Sequence, residues 1–396
     1  MKRKLLFITW DGPQTTYMEG LFMPVFHEIT KIDAQYEFHV LQFTWGDEKR
    51  IKFTADKAME FGIQFNSYPI YRKPISILGN LFTIFKGREV IANYIKQNSI
   101  DIVMPRATMP AVMVNRIRLN KCKLIFDADG LPIEERVDFA GLKKGGLIYR
   151  FLSMEEKKIL IKADAVITRS KKAINIHINK IGEKYRNKFY KVTNGRDVNL
   201  FKPDIYKREE LRDKLEIRPE EKTFVYCGSL GGKYCWGEIY SIFIRYLQQN
   251  PISKFLILTG NPSFLDGKIH NEVKDKFIVK TVPAKDVPSY LNVGDIALAI
   301  ISPTYSMQGA SAIKIAEYLL SGLPVIASAG IGDTDELLKK IQGCFLYNHS
   351  DTDRITKAVQ WILQPKPNRN VLSQSVRDTF SLTKSASDYL KAIKLF

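Results

Sequence analysis

The chain has 396 residues, 45% of them apolar, a globular make-up long enough to make two domains the first expectation. Lys and Arg exceed Asp and Glu by 18 charges, with +13 carried by residues 1–200 and +5 by residues 201–396, so either an anionic partner or simple solubility is served. No uncharged apolar run reaches the roughly 20 residues a spanning helix needs, and MKRKLLFITWDG turns polar too early for a signal peptide, so a cytoplasmic protein is expected.

In chain order, strand-like runs at KLLFITW, EFHVLQF, DIVMP, KLIFDAD, AVITRS and FYKVTNG alternate with helical patterns such as 77–97 and 146–162. The rhythm restarts with TFVYCGS and runs through KFLILTG, KFIVKTV, GDIALAI, LPVIASA and CFLYN. Alternation of this kind predicts parallel strands with crossover helices, that is, an α/β chain of two doubly wound, Rossmann-like domains. The charged, turn-rich stretch 195–220 marks the boundary: residues 1–195 form the first domain, joined by a terminal helix at 380–396, and 196–379 the second. No G-x-G-x-x-G follows a strand, so the ordinary dinucleotide fingerprint is missing. The four cysteines form no CxxC pair and suggest neither a disulfide framework nor a metal site. None of the five histidines sits at a strand-end turn with an acidic neighbour. Nucleic acid is a poor candidate partner, because no recognition motif for it is present.

Open parallel sheets bind ligands beyond the carboxyl ends of their strands, which directs attention to four turns. In YCGSLGGKYCWGE (226–238), Gly228, Gly231 and Gly232 let amides approach a ligand closely, and Lys233 adds a cation; the set suits a diphosphate as well as a merely tight connection. In SAIKIAEYLLSGLPVIAS (311–328), Lys314, Glu317 and Ser321 form one polar stripe on an otherwise oily helix, facing either solvent or a cavity. Ser311 is the expected N-cap, so the amides of Ala312 and Ile313 would point at a bound phosphate. Glu317 suits sugar hydroxyls, with a solvated Lys314–Glu317 pair as the plain alternative. Asp127 and Asp129 close a strand in IFDADG, where a carboxylate either handles an acceptor hydroxyl or caps a turn. Gly12 and Gln14, in the long loop after the first strand, are the remaining acceptor-side candidates.

Several of these stretches resemble the family-four glycosyltransferases. VTNGRDVNLFKP (192–203) is similar to that family's segment between its two domains, and KIAEYLLSGLPVIA to its lysine-x-x-glutamate-tyrosine helix and following strand. FVYCGSLGGK, FLILTG, VPAKDVPSYLNVGDIALAI and ADAVITRS fall in the expected order, and together the matches span most of 120–330. The resemblance implies two Rossmann-like domains facing a cleft (GT-B) and a retaining, metal-independent enzyme that uses a nucleotide-sugar as co-substrate and no further cofactor. It implies that Gly228, Ser229, Gly232 and Lys233 hold the donor diphosphate, that the Ser311 helix end adds amides, and that Glu317 binds the ribose. Two departures stand out: Gly309 occupies the position of a second glutamate common in the family, and Ser229 and Leu230 stand where an arginine is common.

The expected function is therefore sugar transfer to a saccharide or lipid-linked acceptor in surface polysaccharide assembly, with Asp129, Lys233 and Glu317 as catalytic candidates. A nucleotide-sugar epimerase of the same fold and a non-catalytic partner subunit are the alternatives. The basic first half, with LKKGGLIYRFLSMEEKKILIK (142–162), makes an anionic membrane surface on the inner face of the cell membrane a further expected partner.

Overall fold

The computed structural model describes residues 2–73 and 75–395; Met1, at the head of the expected first strand, and Phe396, at the end of the expected last helix, lie outside the described residues. The chain divides into two compact units. Unit 1 comprises the described residues of Met1–Thr193, Gln308–Ala310 and Leu382–Phe396, and unit 2 comprises Asn194–Met307 and Ser311–Ser381.

Unit 1 is built on β1 (Arg3–Asp11), β2 (Tyr36–Thr44), β3 (Gln64–Pro69), β4 (Ile102–Pro105), β5 (Lys123–Asp129), β6 (Ala165–Thr168) and β7 (Phe189–Lys191). These strands are parallel and ordered β3-β2-β1-β4-β5-β6-β7. In β1, Leu5, Leu6, Phe7 and Ile8 are all fully buried, because helices cover both faces of a parallel sheet and both sides of the strand must be apolar. The edge strand β3, QFNSYP, was not anticipated; its residues are mostly exposed and lack the apolar run that marks a buried strand. The β5–β6 register shifts between Asp127 and Asp129, and Asp129 takes a left-handed φ of 60°. The last helix, Leu382–Ile393, packs on the helix Met23–Ile32, bringing the Tyr389 ring to 6.4 Å from Phe26.

Unit 2 is built on β8 (Thr223–Cys227), β9 (Lys254–Leu258), β10 (Phe277–Lys280), β11 (Ile296–Ala299), β12 (Val325–Ser328) and β13 (Cys344–Tyr347), again parallel and ordered β10-β9-β8-β11-β12-β13. Side chains alternate between two apolar layers. Val225, Leu256, Ala297 and Val325 meet Tyr318 and Leu319 on one face, and Phe224, Phe255, Leu298 and Ile326 meet Phe243 and Ile362 on the other. Each buried Val, Leu, Ile or Phe among them contributes roughly 1.5–3 kcal/mol relative to exposure. In both sheets the strand order reverses beside the first strand of the unit, between β1 and β4 and between β8 and β11. The carboxyl ends of those strands are where an open sheet leaves room for a ligand.

Candidate functional site

The turn after β8 lies at the switch point of unit 2. Gly228 has a φ of 133° and Gly231 one of 90°, conformations that side-chain-bearing residues rarely adopt. The rest of the turn is stitched down: the Ser302 amide donates to the Lys233 carbonyl at 2.9 Å, the Cys235 amide to Ile300 at 3.2 Å, and Leu230 exchanges hydrogen bonds with Asn261. Ser229 and Gly232 are exposed at its rim, and Lys233 is half-buried.

The helix Ile313–Leu320 approaches this turn from the other side of the switch point. Its N-cap is Ala312, not Ser311, and no side chain caps it, so the capping expectation is corrected. Ser311 stands one residue further out, its carbonyl accepting from the Asn194 side-chain amide at 3.2 Å. The first-turn amides of such a helix have no intrahelical partners, and the helix dipole adds partial positive charge there.

The polar stripe of this helix is buried and not solvated. Lys314 is 9% exposed and Ser321 fully buried. The Lys314 Nζ lies 4.2 Å from the Tyr226 ring centre and 4.1 Å from that of Tyr234, with no hydrogen-bond partner among the described residues. A Cβ placed on Gly228 would come within 3.0 Å of this ammonium, so glycine is what allows the lysine to reach the turn. Burial pushes the Lys314 pKa down from 10.5 to about 8; Cys227 and Glu317 oppose the shift and Lys233 adds to it. Glu317 and Lys233 each lie within electrostatic reach of Lys314.

One turn along the helix, Glu317 Oε1 accepts a 2.6 Å hydrogen bond from the Arg196 guanidinium, both side chains being mostly buried. Arg196 belongs to the stretch NGRD but was not singled out from the sequence; the only available signal was its place beside a glycine in a turn. Tyr318, next to Glu317, receives the Cys227 amide at 2.7 Å and so ties the helix to the end of β8. Cys227 is pushed up to about 12, chiefly by burial, and all four cysteines are unpaired and partly buried.

Unit 1 places the other candidates differently. Asp127 is fully buried and takes two hydrogen bonds from Arg169, at 2.8 and 3.0 Å, and one from the Tyr389 hydroxyl at 3.0 Å. Asp127, expected from the sequence to bind an acceptor, is thus buried and engaged by Arg169 and Tyr389. Asp129 pairs with Arg106 at 2.6 Å and Arg169 at 3.2 Å. Two guanidinium groups therefore engage the Asp129 carboxylate, one on each of its oxygens. Arg106, at the end of β4 and also 3.9 Å from Asp11, is a second arginine that the sequence did not single out. Gly12 follows β1 at the switch point of unit 1 and packs on Trp45, while Gln14 is exposed two residues on. Gly309 packs on Gly130 and Leu131 so closely that a Cβ would meet Leu131 at 2.8 Å, leaving no room for the family's common glutamate. The Gln308 carbonyl accepts from the Ser170 hydroxyl at 2.7 Å.

No family model matches the sequence. A curated relative, alpha-monoglucosyldiacylglycerol synthase of Acholeplasma laidlawii, is 24% identical over 192 residues, 46% of this chain; the match spans about half, 47%, of that relative's length. Among solved structures, sucrose-phosphate synthase from Thermosynechococcus elongatus superposes with a TM-score of 0.71 at 15% identity, covering 99% of this chain and 98% of that one. Anabaena Alr3699/HepE, solved in complex with UDP and glucose, matches with a TM-score of 0.67 at 14% identity over 100% of both chains. The chain thus has the GT-B fold of two Rossmann-like domains, as its motifs implied.

Proposed function

We propose that this protein is a glycosyltransferase that moves a sugar from a nucleotide-sugar donor to a saccharide or lipid-linked acceptor, with retention, in surface polysaccharide assembly. One observation carries the reading: a buried ammonium with no hydrogen-bond partner among the described residues, Lys314, sits against the glycine turn at the carboxyl end of β8, with Lys233 and Glu317 in electrostatic reach of it. A diphosphate supplies the anionic oxygens that such a group lacks, and the ribose next to it supplies hydroxyls for Glu317. In the same reading Arg196 holds Glu317 in place, and the amides of the turn and of the Ile313–Leu320 helix complete the diphosphate cradle. Charge develops on the departing diphosphate in the transition state, so fixed amides and ammonium groups there accelerate bond cleavage without reorganising. Similarity of fold to HepE, solved with UDP, supports a uridine nucleotide as the first donor to try.

The test is to incubate the protein with uridine-diphosphate sugars and a panel of saccharide and lipid-linked acceptors. Transfer releases nucleoside diphosphate and yields a product whose anomeric configuration, read by NMR, matches the donor. A new nucleotide-sugar without free diphosphate identifies an epimerase. Nucleotide binding without either product identifies a non-catalytic subunit, the outcome that the closed position at Gly309 favours among the alternatives.

A further inference from the structure

The helix Ser76–Asn98 of unit 1 is turned inside out. Its first three turns bury Gly79, Thr83 and Gly87, and they present Ile77, Leu78, Leu81, Phe82 and Phe85 to the outside, Ile77 being 60% and Phe85 51% exposed. A surface helix of a soluble domain normally does the reverse. The inward glycines are required, because a Cβ on Gly79 would lie 2.3 Å from the Tyr71 carbonyl and one on Gly87 2.3 Å from the Met113 sulfur. The helix is therefore seated deeply in this orientation, and its large side chains cannot rotate inward.

A second exposed set adjoins it. The helix Leu147–Lys162 leaves Leu147 85% and Ile148 55% exposed, and both helices reach the same small cluster, where Ile84, Tyr149 and Phe151 pack around Val112, Ile133 and Leu152. Cations outnumber acids around both sets: Arg72, Lys73, Lys86 and Arg88 beside the first with Glu89, and Lys143, Lys144 and Arg150 beside the second with Glu134, whose carboxylate accepts from Tyr149. At one edge Arg72 stacks on Trp45 at 5.1 Å, with Tyr71 next to it, the amphipathic aromatic and basic pairing that suits a headgroup layer. Two copies of so basic a rim would repel across a symmetric dimer, so charge complementarity selects an anionic occupant.

The geometry points to an anionic lipid bilayer as that occupant, with Leu78, Phe82, Phe85 and Leu147 inserted among acyl chains and the basic rim on the headgroups. Among the described residues no helix is long and apolar enough to cross a membrane, so the contact is peripheral. This inference stands independently of the sugar-transfer reading.

Co-sedimentation of the full chain with phosphatidylcholine vesicles, with and without phosphatidylglycerol, tests it. The protein is expected to pellet with the anionic vesicles and to be released by salt, and Leu78→Glu/Phe82→Glu to weaken pelleting by about tenfold or more. Circular-dichroism melting checks that this variant folds; should it not, Lys73→Glu/Arg88→Glu is expected to lose the anionic preference instead. Failure of the wild type to pellet, or equal pelleting by folded variants, overturns the proposal. So does a lipid-independent dimer in sedimentation velocity that Leu78→Glu/Phe82→Glu dissociates, since that assigns the face to a second copy.

Discussion

Arg196 donates to Glu317 at 2.6 Å, while its own backbone amide donates to the Phe380 carbonyl at 2.8 Å. The residue thus fastens the start of unit 2 to its end and sets the position of the acid on the Ile313–Leu320 helix. Because both side chains are largely sheltered from water, each partner leaves the other uncompensated when removed.

Arg196→Ala is expected to cost on the order of 1–3 kcal/mol of stability and to weaken UDP binding. Glu317→Gln keeps the shape and loses the charge, so it should reduce nucleotide affinity with a smaller loss of stability. Isothermal titration with UDP beside urea unfolding separates the two effects; equal UDP affinity in both variants and wild type removes Glu317 from the site.

Lys314 gives a pH signature. Its folded pKa of about 8 lies below the ordinary 10.5, so between those values the unfolded chain holds more protons, and stability rises with pH across that window. Lys366, also pushed down to about 8 by burial, contributes to the same slope, so the readout is the difference between wild type and Lys314→Met. The variant should be more stable than wild type at pH 7 by on the order of 1 kcal/mol, because a buried ammonium is removed. Diphosphate binding favours the charged lysine, so UDP affinity should fall as the pH rises past 8 in wild type and be weak throughout in the variant.

Gly228→Ala combines two penalties. The φ of 133° strains any side-chain-bearing residue, at about 1–3 kcal/mol, and the new methyl would stand 3.0 Å from the Lys314 ammonium. Thermal melting should drop, and UDP should no longer shift the melting point as it does for wild type. The exposed Gly232, whose Cβ would meet nothing within 4 Å, is the control: despite its φ of 55°, substitution there should leave Lys314 undisturbed.

Asp127→Asn tests the buried network of unit 1. Neutralising it leaves the Arg169 guanidinium without its closest counter-charge, at a cost of about 3–5 kcal/mol in urea unfolding. Tyr389→Phe removes one hydrogen bond to Asp127 and should cost about 1–3 kcal/mol, which measures how firmly the last helix belongs to unit 1.

What could be read directly from the chain was whatever local pattern governs. Runs such as LLFIT and TFVYC, buried on both faces, announce parallel strands by being almost wholly apolar, and the glycines of CGSLGGK announce a turn whose backbone side-chain-bearing residues rarely adopt. The polar edge strand β3 escaped notice because its pairing is with the backbone of β2 and leaves no mark on its side chains. Tertiary structure alone decided the pairings between residues far apart in sequence. Asp127 looked like a strand-end acid available to a substrate until Arg169 and Tyr389 closed over it, and Glu317 gained its partner from a residue 121 positions away. The inward glycines of Ser76–Asn98 carry the same lesson: a helix's apolar side chains name a face, but which face turns inward depends on what the rest of the fold leaves room for.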